Sequence, residues 1–110
     1  MQIIIKEENN FMPSTIIKIF RNKIEIEENK ITRILRYTKV EIVKIIELFL
    51  SITKNWQSKY IDKAIIDDEV YTISVINKQV KEYYIKNKYP NNWNKFILFR
   101  NKLVREELNF

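Results

Sequence analysis

Glycine, cysteine and histidine are all absent from this 110-residue chain, and proline occurs only twice. Without cysteine there is no disulfide framework, no thiolate nucleophile and no cysteine zinc site, which fits a reducing compartment. The lack of histidine removes the commonest general base at neutral pH, the Ser-His-Asp and Cys-His arrangements, and the commonest metal ligand. Phosphate-cradling loops of the P-loop and dinucleotide-binding kinds need glycine where backbone approaches the ligand, so these loops are excluded and nucleotide cofactors are not expected. The expectation is a protein that is not an enzyme and carries no cofactor or metal. Average usage of about 7% would put roughly eight glycines in such a chain. Asparagine, which tolerates the left-handed conformation better than most residues, is expected to make the turns instead.

No apolar run approaches the length of a membrane span. The stretch Met1 to Glu8 has neither the basic region nor the long apolar region of a signal peptide, so a cytoplasmic protein with no membrane partner is expected. What is present is the composition of a foldable domain, 45% hydrophobic and 31% charged. At 110 residues the chain reads as one domain, 1–110, with room for a single core. The net charge of +6 is spread evenly, ten basic and seven acidic side chains in each half, so neither half is a basic tail. Such a balance permits contact with nucleic acid or an acidic protein, and equally permits simple solubility.

The first third reads as an antiparallel meander. Ile3 to Lys6 is a short apolar start, Phe11-Met12-Pro13 interrupts it, and Thr15 to Phe20 is rich in β-branched residues. Arg21-Asn22-Lys23 and Glu28-Asn29-Lys30 are turns around the alternating segment Lys23 to Glu27, and Ile31 to Tyr37 runs back. Thr38-Lys39-Val40-Glu41 has the form of a capping box, and Ile42, Ile45, Ile46, Phe49, Ile52 and Trp56 follow at helical spacing as a core stripe to an end near Asn55. Residues 58–68 read equally as strand or irregular. Val70 to Ile76 and Val80 to Ile85 form a hairpin around a two-residue loop, Asn77-Lys78. Tyr89-Pro90-Asn91-Asn92 ends that hairpin and supplies Asn caps for a last helix with Trp93, Phe96, Ile97, Arg100, Leu103 and Val104 on one stripe, beyond which the C-terminus frays. The fold class is therefore α+β, an antiparallel sheet of five or six strands packed by two α-helices.

Asp62, Asp67, Asp68 and Glu69 place four carboxylates within eight residues, but at no EF-hand spacing, and adjacent aspartates before a strand suit a turn better than a cation. The sharpest local signal is residues 78–102, where Lys78, Lys81, Lys86, Lys88, Lys95, Arg100 and Lys102 face only Glu82. Tyr83, Tyr84, Tyr89 and Trp93 are interleaved with them, the alternation by which single-strand binders neutralise phosphates and stack bases. An alternating strand beside an amphipathic helix gives the same pattern with the rings in the core and the lysines in water. That second account needs no ligand.

The order of meander, helix, hairpin and helix, closing on Asn87-Lys88-Tyr89-Pro90-Asn91-Asn92-Trp93, resembles a diffuse group of small bacterial and phage proteins of the toxin-immunity, anti-CRISPR or mobile-element kind, with an N-x-Y-P-x-x-W segment before a terminal helix. That group's usual glycines are missing here. The resemblance implies a fold and supplies no catalytic residues. Together these features lead to the expectation of a stoichiometric inhibitor that occupies the surface of a larger bacterial protein, an effector nuclease or a toxin. An anti-CRISPR-type protein is the first expectation, an immunity protein the second, and a small single-stranded nucleic-acid-binding protein the third. The expected partner-binding residues are Lys81, Tyr83, Lys86, Lys88, Tyr89, Trp93 and Lys95, since aromatic and cationic side chains at strand and loop ends make good anchors.

Overall fold

A computed structural model of the chain describes residues 1–9, 12–64 and 69–109. Isoleucines at every second position draw the first strands onto one apolar face. β1 (Gln2–Asn9), β2 (Met12–Ile19), β3 (Ile24–Glu28) and β4 (Ile31–Leu35) pair antiparallel in succession. Ile3 lies opposite Ile19, Ile5 opposite Ile17, and Ile17 in turn opposite Ile26, so the same side of three strands is aliphatic. All of these side chains are fully buried, and each contributes about 1.5–3 kcal/mol relative to exposure. β6 (Val70–Ile76) joins the other side of β1 with Ile73 against Ile5, and β7 (Val80–Lys86) follows antiparallel with Tyr83 against Ile73.

Helices α1 (Lys39–Thr53) and α2 (Trp93–Val104) supply the other wall of the core. The capping box forms as expected: the Glu41 amide donates to Thr38 Oγ1 at 3.1 Å and the Thr38 amide to Glu41 Oε1 at 2.9 Å. Ile42, Ile45, Phe49 and Ile52 of α1 and Phe96, Phe99 and Leu103 of α2 are buried against the sheet. The Arg100 guanidinium forks onto Glu7, with Nε to Oε2 at 2.7 Å and Nη2 to Oε1 at 2.8 Å, and ties α2 to the far end of β1. Burial opposes the charge on Arg100, but the hydrogen bonds it donates to Glu7 and the attraction of that carboxylate together outweigh it and hold the guanidinium pKa above its ordinary value.

Several expectations need correction. Among the described residues the sheet has seven strands in the order β4-β3-β2-β1-β6-β7-β5 and is mixed, because β5 (Lys59–Ile61) runs parallel to β7. The Tyr84 amide donates to Ser58 O and the Asp62 amide to Lys86 O. Three residues are too few to show a period, which is why the sequence left 58–68 undecided. β2 begins at Met12, ahead of the expected Thr15, and takes in Pro13. That proline lies at the irregularity in the β1–β2 register and beyond the last residue paired with β3, where a missing N–H costs the ladder little. Ile76 pairs with Val80, so the β6–β7 loop has three residues, 77–79, not two. Phe11, the Asp67-Asp68 turn and Phe110 lie outside the described residues. Asparagine does replace glycine at Asn29 (φ 51°) and Asn87 (φ 59°), but Lys30 (φ 63°) and Glu106 (φ 58°) are left-handed too.

Candidate partner-binding site

Register, rather than sequence position, decides where the basic segment presents its side chains. Tyr83 faces Ile73 on the helix-covered side and is 2% exposed, with its ring edge-on to Trp56 at 5.7 Å. It cannot reach a partner from the folded state, so its expected role as an anchor is withdrawn. Lys81 lies two residues away on the same side, its ammonium 5.4 Å from the Tyr83 ring centre. Lys86 falls on the opposite, uncovered face and shares a hollow with Ile61, Asp62, Lys63 and Tyr84. Trp93 is half-buried in an aromatic stack with Phe96 at 4.7 Å, Tyr71 at 4.9 Å and Tyr89 at 5.1 Å. Lys88 and Lys95 are exposed. The structure thus brings Tyr89 and Trp93 together, and separately Lys81 and Tyr83, but the seven residues form no single patch.

Two carboxylates of the sequence cluster, Asp62 and Glu69, lie among the described residues, and both are otherwise engaged. Asp62 Oδ1 accepts from the Ala64 amide at 3.0 Å, and Glu69 accepts from the Tyr71 hydroxyl at 2.6 Å. Burial, reinforced by that bond to a carboxylate, raises the Tyr71 phenol far above its usual range. Among the described residues no group of three or more acidic side chains could hold a metal ion.

A surface shaped to receive another molecule lies between the helices. On α2, Lys95, Leu98, Phe99 and Lys102 recur at i, i+3, i+4 and i+7, so they form a second face beside the core stripe. On α1, Leu48, Ser51 and Ile52 face them, and Asn92, Glu107, Leu108 and Asn109 complete a groove of about 470 Å³. Ile52 and Phe99 are buried at its floor, while Leu48 at 40% and Leu98 at 56% exposure stand at its walls. Two contacts hold the helices at this spacing. The Phe49 and Phe99 rings meet at 6.2 Å, and the Asn92 side chain bridges both helices. Asn92 Nδ2 donates to Ile52 O at 2.7 Å and Oδ1 accepts from Trp56 Nε1 at 2.7 Å. Asn92 therefore occupies the N-cap position of α2 without capping it, because its side chain satisfies the end of α1 instead.

The lining includes one expected partner-binding residue, Lys95, a second lysine of the basic segment, Lys102, and two leucines the sequence did not single out, Leu48 and Leu98. Their signal was the apolar pair Leu98-Phe99, offset by one residue from the stripe read as core. Among the described residues no helix is long and apolar enough to cross a membrane. No protein-family model, no curated protein and no solved structure matches the chain.

Proposed function

We propose that this chain is a non-catalytic protein-binding protein that acts as a stoichiometric inhibitor, and that its target docks in the groove between α1 and α2. The observation that carries this reading is an apolar groove with exposed leucines on both walls and two lysines along one rim. Leucines that stand exposed beside a buried floor are desolvated when a partner docks, and fully burying such a side chain contributes about 1.5–3 kcal/mol. Lys95 and Lys102 are seven residues apart, about 10.5 Å along the helix axis at 1.5 Å per residue. They outnumber Glu107, the one carboxylate among the described residues of the groove lining. An amphipathic helix of the target with apolar residues at i and i+3 or i+4 and acids one or two turns apart fits this arrangement. A chain of net charge +6 suits a target with acidic patches, so an anti-CRISPR-type inhibitor of a nuclease effector is preferred. Immunity to a nuclease toxin is the weaker alternative, since such inhibitors are more often acidic.

A second reading has one observation in its favour. Tyr84 is part-exposed on the uncovered sheet face, directly opposite Lys59 and in one hollow with Lys63 and Lys86, which would suit a base stacked beside its phosphates. Affinity capture from host or phage-infected lysate, with and without nuclease, separates the two. One stoichiometric protein that survives nuclease and is lost with Leu98→Asp supports the groove. Capture that disappears with nuclease, or that is lost with Tyr84→Ala and kept with Leu98→Asp, overturns it.

A further inference from the structure

The two edges of the sheet differ in how they are guarded. β5 is three residues long and carries Lys59, both common means of blunting an edge. β4, Ile-Thr-Arg-Ile-Leu, has five residues with no proline, glycine or bulge, and Ile31 is 69% and Ile34 54% exposed. Among the described residues no strand pairs with its outer side.

The hydrogen-bond parity of β4 follows from its neighbours. The Phe20 amide donates to Lys23 O, so odd-numbered residues of β3 bond to β2 and even-numbered ones to β4. Glu28 pairs with Ile31 across the two-residue turn Asn29-Lys30, which gives the same phase. Ile31, Arg33 and Leu35 therefore bond to β3, while Thr32 and Ile34 turn their N–H and C=O groups outward. Leu35 is buried, so Ile31, Arg33 and Leu35 share the helix-covered face and Thr32 and Ile34 lie on the open face.

We infer that the β4 edge pairs antiparallel with the β4 edge of a second copy of this chain, about a two-fold axis at Ile34. A two-fold contact between identical strands is necessarily antiparallel. With the axis at Arg33 that side chain would oppose its own copy, a destabilising like-charge pair. With the axis at Ile34 the exposed isoleucine meets the second copy's Ile34, Arg33 lies opposite the second copy's Leu35, and Ile31 lies opposite the second copy's Tyr37. Continuing the strand by one residue sets Arg36 opposite the second copy's Thr32. It is then two strands, about 9.6 Å, from the second copy's Glu27, across a small side chain that an arginine can span. One register thus buries the exposed isoleucines and brings opposite charges together. The contact is a strip about 17 Å long, well short of the roughly 1,200 Å² of stable complexes, so the dimer is reversible and forms at concentrations on the order of 10 µM to 1 mM. Each copy carries +6, and salt that screens this repulsion strengthens the association.

This inference is independent of the groove. Sedimentation equilibrium from about 10 µM to 2 mM should show the mass rising from 13.5 kDa toward about twice that value, more readily at moderate than at low salt. Ile34→Lys and Thr32→Pro, the latter removing an outward N–H that β3 does not use, should each remain at 13.5 kDa with an unchanged circular dichroism spectrum. In this cysteine-free chain Ile34→Cys should oxidise to a covalent dimer faster than Arg33→Cys. A wild-type chain that stays monomeric throughout overturns the inference, as does a dimer that survives Ile34→Lys. Should Thr32→Pro misfold, Ile34→Lys and the cysteine pair still decide it.

Discussion

Asn92→Ala should be among the most damaging polar substitutions in this chain, although it removes a side chain of ordinary size. Its amide makes two 2.7 Å hydrogen bonds, one to the carbonyl of Ile52 and one from the indole of Trp56, and both are partly buried. Each bond contributes about 1 kcal/mol, and a donor or acceptor left without its partner adds about 1–3 kcal/mol when water cannot replace it. Partial water access sets the expected loss near 3 kcal/mol. For 110 residues the unfolding entropy is about 230 cal/mol/K, so the midpoint should fall by about 13 °C. Lost capping contributes nothing to this figure, since the Asn92 side chain makes no cap bond. Asn92→Asp keeps the acceptor for Trp56 but sets a carboxylate against the Ile52 carbonyl, so at pH 7 it should cost as much as alanine. Its carboxyl pKa would be raised in the folded state, so its deficit relative to wild type should shrink as the pH falls and the protonated acid donates to that carbonyl. Thermal melts and urea titrations at pH 7 and pH 4 read all three proteins. An Asn92→Ala protein within 0.5 kcal/mol of wild type would refute the bridge as what holds the helix ends together.

Three further outcomes follow from the fold. Arg100→Leu leaves the Glu7 carboxylate, with its side chain only 15% exposed, without its fork, and should cost about 2–4 kcal/mol by denaturant titration, whereas Arg100→Leu with Glu7→Leu together should recover much of that loss. Tyr71 has its pKa raised by burial and by Glu69, so the folded state keeps a proton that the unfolded state loses above about pH 10; stability should fall by about 1.4 kcal/mol per pH unit from there upward, and Tyr71→Phe should flatten the slope. Lys30 sits at φ 63° after Asn29 in a two-residue hairpin loop, and Lys30→Gly should stabilise by about 1 kcal/mol in the same titration.

Much of the fold was legible because short-range chemistry decides it. The Thr38 and Glu41 cap, the alternation in Ile24-Glu25-Ile26-Glu27 and the spacing of Ile42, Ile45, Phe49 and Ile52 are local patterns, and each formed where it was read. What failed depended on partners distant in sequence. β5 exists because β7 offers it an edge, and the three-residue loop at 77–79 is set by the register of Ile76 on Val80. Asn92 was read as a cap because its position is a cap, but Trp56 and Ile52, some forty residues earlier, claim its side chain.

The expected binding patch dissolved for the same reason. Tyr83 and Tyr84 are adjacent, so a strand must send them to opposite faces, and nothing within Val80 to Lys86 says which one goes inward. The pairing of Tyr83 with Ile73, and of Tyr84 with Thr72, decides it: Lys81 takes the same side as Tyr83 while staying exposed, and Lys86 takes the open face. A run of charge in sequence therefore carries little information about a surface once a strand runs through it. The groove shows the converse. Leu48 and Leu98 are fifty positions apart and become neighbours only when α1 and α2 are laid side by side, held by Phe49 on Phe99 and by Asn92. What the sequence does show is an apolar residue, Leu98, on α2 outside the stripe its core requires. An apolar side chain at a helical position that the chain's own core leaves unused is the local trace of a surface completed by something else.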